Sequence, residues 1–142
     1  MGWNNPKKVV VPIDFSKESL VAVREARSVV TRANQLFILH VLLPLHSGEP
    51  GMIWGAVDFS SRQEHVLDHM RTAFQGPEFD GINLQAMEGD PGDAIALYAQ
   101  KISAELILIP SHGRKGLSRL VIGSVAERVV RLAHCPVLVL RH

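Results

Sequence analysis

Four short runs, KVVVPI (8–13), LFILHVL (36–42), ELILIP (105–110) and PVLVLRH (136–142), are apolar almost without interruption. A run of that length enriched in Val, Ile and Leu reads as a strand, and one that does not alternate with polar residues is covered on both faces. Between the runs the apolar spacing changes. Leu20, Val23, Ala26, Val30 and Ala33 recur at steps of three and four, which predicts a helix capped by Ser16 and running to about Arg32. Strands alternating with helices in this way predict an α/β fold, a parallel sheet with right-handed crossovers.

The remaining segments complete the alternation. A helix from about Arg62 to Phe74 presents Val66, Met70 and Ala73, and INLQAM (82–87) alternates, as expected of a more exposed strand near the sheet edge. In GDPGDAI (89–95), Asp90 is placed to cap a helix, Pro91 to open it and Asp93 to close a capping box. GSVAERVVRLA (123–133) is the last helix. The connection 44–61 is long, and its Ile53 and Trp54 suit either a lid or ordinary loop residues packed on the domain edge.

A chain of 142 residues, 46% of them hydrophobic, suits one domain spanning 1–142 that buries ~70% of its unfolded surface. Its net charge of +1 gives no general drive toward nucleic acid or an anionic membrane, so anion recognition must be local. No apolar run reaches the ~20 residues of a membrane span, and the N-terminus lacks the apolar core of a signal peptide. The single cysteine, Cys135, excludes an internal disulfide and is most simply a small core residue. A cytoplasmic protein is expected.

In an open parallel sheet, ligands bind beyond the carboxyl ends of the strands, where the strand order reverses. Asp14 closes the first strand. The stretch IPSHGRKGLSRLVIGSV (109–125) closes the fourth and leads into a helix, with Gly113 and Gly116 for close backbone approach, Arg114, Lys115 and Arg119 for charge, and Gly123-Ser124 at the helix mouth. Each has a plainer role open to it. Ser124 and Glu127 fit a capping box, Asp14 a helix cap or a turn, and the basic side chains a solvated loop face. His112 suits a phosphate contact when protonated or a bond to the loop backbone. His65 and His69, four apart beside Glu64 and Asp68, have metal-compatible spacing, although a polar helix face explains them too. There is no G-x-x-x-x-G-K-[ST] and no G-x-S-x-G, and Ser111 beside His112 is a sequence adjacency.

Taken together, VVVPIDFSKES, LHVL, GDPGDAI and GSVAERVVRLAHCPVLVLR resemble the universal stress protein family along nearly the whole chain. The resemblance implies a single open, Rossmann-like parallel sheet of five strands in order 3-2-1-4-5, helices on both faces and a dimer; PVLVLRH, an apolar strand at an open sheet edge, predicts a homodimer joined through the C-terminal strand. Nucleotide-binding members carry Gly, two residues, Gly, nine residues, Gly, then Ser or Thr. Gly113, Gly123 and Ser124 fit it, whereas Pro110 stands at the first glycine position. By resemblance, Pro12, Ile13, Asp14 and Val41 form an adenine pocket, while Gly113, Gly123, Ser124 and Val125 hold phosphate, with His112 in the same loop and Arg114 an added contact. The ligand implied is ATP or AMP, with Mg²⁺ as an optional companion, bound by a stress-response regulatory module. Its rivals are a module that binds no nucleotide and acts through dimerisation and partner contact, and a slow ATPase.

Overall fold

The computed structural model describes residues 4–44, 59–112 and 121–141. The chain runs β1 (Val9–Pro12), α1 (Lys17–Val29), β2 (Leu36–Leu42), α2 (Phe59–Ala73), β3 (Asn83–Glu88), α3 (Pro91–Lys101), β4 (Leu106–Pro110), α4 (Ser124–Leu132) and β5 (Val137–Leu140). The strands form one sheet in the order β3-β2-β1-β4-β5, with every neighbouring pair parallel. This is the expected architecture.

The unbroken apolar runs follow from two cores, one on each face. Val9 and Val11 of β1, with Ile38 and Leu108, pack under Ala22, Val23 and Ala26 of α1, Met70 of α2 and Phe74 just after it. Val10, Leu39, Ile107 and Ile109 point the other way, against Ile95 and Ala99 of α3 and Ala126 and Val129 of α4. Alternate residues of one strand therefore feed opposite layers. Each such side chain, taken fully out of water, contributes about 1.5–3 kcal/mol. β3 is an edge strand, as its alternation implies.

Element ends moved by a few residues. α1 stops at Val29, three residues before the expected end, and Ala33 falls instead in the short 3-10 turn Ala33–Gln35 that leads into β2. α2 begins at Phe59, earlier than its apolar spacing indicates, because its first turn presents exposed Phe59, Ser60 and Ser61. Ser16 caps α1 by accepting from the Ser19 N–H, and Asp90 caps α3 by accepting from the Asp93 N–H, both as expected.

The sheet parts between β1 and β4. Their ladder holds only Val9↔Leu106 and Val10↔Ile107, while β1 stays paired with β2 to Pro12↔Leu39 and β4 with β5 to Pro110↔Leu140. The Ile13 N–H donates to Leu39 and the Ser111 N–H to Leu140, so by alternation the nitrogens of Pro12 and Pro110 both face the β1–β4 gap. Neither has a hydrogen to give. Two prolines thus end the ladder where the strand order reverses, and the crevice opens there.

Candidate functional site

The crevice widens into a cleft of about 300 Å³, a size suited to a small ligand. Its floor is apolar, with Pro12, Ile13, Leu39, Val41, Ile109 and Pro110 contributed by the strand ends. One wall is the first turn of α4, from Ser124 to Ala126, beside Pro91 and Ile95 of α3; Asp14 and Ser19 stand opposite on the β1 side.

Asp14 owes its placement to a tight turn. Its Oδ1 accepts from the Ser16 N–H at 2.9 Å, Ser16 in turn caps α1, and the Ser19 hydroxyl donates to the Ser16 carbonyl at 2.9 Å. Asp14 is therefore the turn former, and Ser16 the cap. Between them Phe15 adopts φ 64°, a left-handed conformation that costs a bulky residue about 1–3 kcal/mol. Its ring lies between those of His40 at 5.0 Å and His69 at 5.2 Å. The His40 Nδ1–H donates to the Ile13 carbonyl at 2.8 Å, fixing the strand end from which Asp14 projects. The His65 ring lies 6.3 Å from that of His69, tilted by 52°, and among the described residues no group of three metal-ligating side chains forms.

The α4 end presents donors. Gly123 is the N-cap, so Ser124 lies inside the first turn and the expected Ser124–Glu127 capping box does not form; the Glu127 carboxylate instead accepts from Arg131 at 2.6 Å. Gly123 has φ −65°, so its smallness, rather than a positive φ, is what the site uses. A Cβ there would stand 3.0 Å from the Ser111 carbonyl oxygen, to which the Gly123 N–H donates at 2.6 Å. That donor is consumed. The N–H groups of Ser124, Val125 and Ala126 have no acceptor among the described residues, and with the helix dipole they favour an anion.

Ser111 and His112 sit beneath this turn, both buried. The His112 Nε2–H donates to the Val121 carbonyl, and Nδ1 lies 3.3 Å from the Ser111 hydroxyl. His112 thus ties the loop backbone, the plainer of its two expected roles. Of the residues singled out in the sequence, Pro12, Ile13, Asp14, Val41, His112, Gly123, Ser124 and Val125 all meet at the cleft. Gly113, Arg114, Lys115, Gly116, Arg119, Ile53 and Trp54 lie outside the described residues. Sequence reading missed Ser111, His40, Pro91 and Ile95 as lining; the GDPGDAI turn was the available signal for the last two. Cys135 is half-buried at the edge of the second core, and desolvation pushes its thiol pKa up.

Comparison with known proteins agrees with this fold. Universal stress protein MJ0531 of Methanocaldococcus jannaschii is 31% identical over 149 residues, covering 99% of this chain and 85% of that protein. Universal stress protein UspA from Lactobacillus plantarum superposes with a TM-score of 0.77 at 24% identity, covering 96% of this chain and 99% of that one. Two further neighbours have a bound nucleotide. A universal stress protein in complex with cAMP gives a TM-score of 0.60 at 23% identity, covering 95% of this chain and 97% of its own. A family protein from Arabidopsis thaliana, At3g01520, with AMP bound gives 0.54 at 20%, covering 96% and 93%. The family profile described as Universal stress protein family matches residues 5–141, and the chain belongs to that family.

Proposed function

We propose that this protein is a regulatory module of the stress response that binds an adenine nucleotide, ATP or AMP, as a ligand in the cleft between β1 and β4. The observation that carries the proposal is the pairing of opposite chemistries across one apolar floor: the Asp14 carboxylate on one side and the N–H groups of Ser124 and Val125 on the other. A carboxylate repels phosphate but accepts hydrogen bonds from ribose hydroxyls or an adenine amino group, so the nucleoside belongs at Asp14. Phosphate belongs at the start of α4. Gly113 and Arg114 are assigned to the phosphate end by motif position, with Mg²⁺ an optional companion there. The AMP and cAMP of the two neighbours support the ligand class.

Assembly is the second part of the proposal. β5 is the other edge of the sheet, with Leu138 44% exposed, and an open apolar edge is a template for a second copy. We assign it to a homodimer in the cytoplasm. Native mass spectrometry of freshly purified protein tests both parts: a dimer carrying mass equal to an adenine nucleotide is expected. Ligand-free protein that takes up neither ATP nor AMP in a titration would leave the module that acts by partner contact alone.

A further inference from the structure

Arg128 lies one helical turn after Ser124 on α4 and reaches across to the start of α3. Its Nε–H donates to the Asp93 carboxylate at 2.8 Å, with the Asp90 carboxylate at 3.5 Å. The aliphatic stem fills a seat that exists because residue 92 is glycine: a Cβ at Gly92 would stand 2.8 Å from Cβ, Cγ and Cδ of Arg128. Asp90 is the residue that caps α3, so the guanidinium also touches the cap. Both helices joined in this way wall the cleft, α3 with Pro91 and Ile95, α4 with Ser124, Val125 and Ala126. Arg128 itself does not line it.

Besides the packing of Ala126 and Val129 in the second core, two polar contacts among the described residues hold α4 near its N-terminus, the Gly123–Ser111 backbone bond below and this cross-helix contact beside. We propose that Arg128, seated on Gly92 and bonded to Asp93, is a positioning residue that sets where the N–H groups at the start of α4 stand, and so the affinity for the phosphate end of the ligand. This rests on the nucleotide reading above. A hydrogen bond to phosphate weakens steeply once its donor moves off line, whereas contacts at the nucleoside end are made by β1 and β2 and do not move with α4. Arg128 also offsets part of the charge of two carboxylates beside an anion site, which by itself would favour phosphate. The two roles predict opposite effects of removing Asp93: a lost anchor weakens phosphate binding, while a lost negative charge strengthens it.

Calorimetric titration of adenosine, AMP and ATP into the full chain separates these cases, with the gain from adenosine to AMP as the readout. Arg128→Met and Asp93→Asn are each expected to reduce that gain about three- to tenfold, toward the lower end of the coupling found between contacting residues. Adenosine affinity stays within about twofold of wild type, since the nucleoside contacts lie elsewhere, and Arg128→Lys, keeping charge and reach, recovers part of the loss. Thermal melts establish that each variant is folded; should Arg128→Met fail to fold, Asp93→Asn and Arg128→Lys carry the measurement. An Asp93→Asn protein with an unchanged or larger phosphate gain overturns the positioning role and leaves Arg128 a simple counter-charge. A wild-type protein that binds none of the three compounds overturns the nucleotide reading and this role with it, whereas a wild type that binds AMP beside variants with the same gain overturns this role alone.

Discussion

Two serines at helix starts have different duties, and each has a measurable consequence. The Ser16 hydroxyl accepts from the Ser19 N–H at 3.1 Å, so Ser16→Ala is expected to cost about 1 kcal/mol in chemical denaturation. Ser124 is exposed inside the first turn after a glycine cap, and Ser124→Ala is expected to leave stability within about 0.5 kcal/mol of wild type. Asp14 separates in the same way. Asn can still accept from the Ser16 N–H and keep the turn but lacks the charge, whereas Ala loses both. Asp14→Ala is therefore expected to weaken ATP and AMP alike by about 1–3 kcal/mol in calorimetry, with Asp14→Asn nearer to wild type. Wild-type affinity in the alanine protein would show that the nucleoside lies elsewhere. At Gly123 the new methyl of an alanine would press on the Ser111 oxygen 3.0 Å away, and a loss of about 1–3 kcal/mol is expected.

At the scale of elements, the strands were the most legible. Val9, Val10 and Val11 are apolar in succession because each face of β1 meets a core, a constraint that local sequence carries in full. The helix starts at Ser16 and Asp90 were legible for the same reason, a side chain bonding to its own next turn. Ser124 was not. Whether the cap is residue 123 or 124 depends on the Ser111 carbonyl, a partner twelve residues away that draws the Gly123 N–H to itself. Pro110 shows the same limit: the sequence reveals a missing donor but not its direction. Since its nitrogen faces β1 rather than α4, Pro110→Gly supplies an N–H across the strand gap, and no gain in ATP over AMP is expected in a parallel titration. A selective gain in ATP affinity would mean that the loop after β4 takes another path in the complex. His40 and Phe15 reach the site region through a ring contact with each other and one from Phe15 to His69 of α2, which no local pattern encodes.

Considered as a whole, the sheet ends on one side in the apolar strand β5. Light scattering at micromolar concentration is expected to give twice the chain mass, and Leu138→Lys, changing an exposed side chain on that strand, is expected to give a monomer of nearly unchanged melting temperature. The two facing prolines have a consequence for how the molecule comes apart. β3, β2 and β1 form one block and β4 with β5 another, and the ladder between the blocks holds only two residue pairs. Such a seam is where a sheet opens first, as a cooperative fluctuation smaller than global unfolding. Amide hydrogen exchange is therefore expected to show the interior of β1 bonded to β2 exchanging at the global rate, while the Leu108 amide, which faces β1, exchanges sooner. A nucleotide seated across the fault touches both blocks, so it would slow that exchange without forming a new bond in the sheet. The same two rings that leave room for a ligand then make its presence readable as the cohesion of the molecule, a quantity that any partner binding across both blocks can sense.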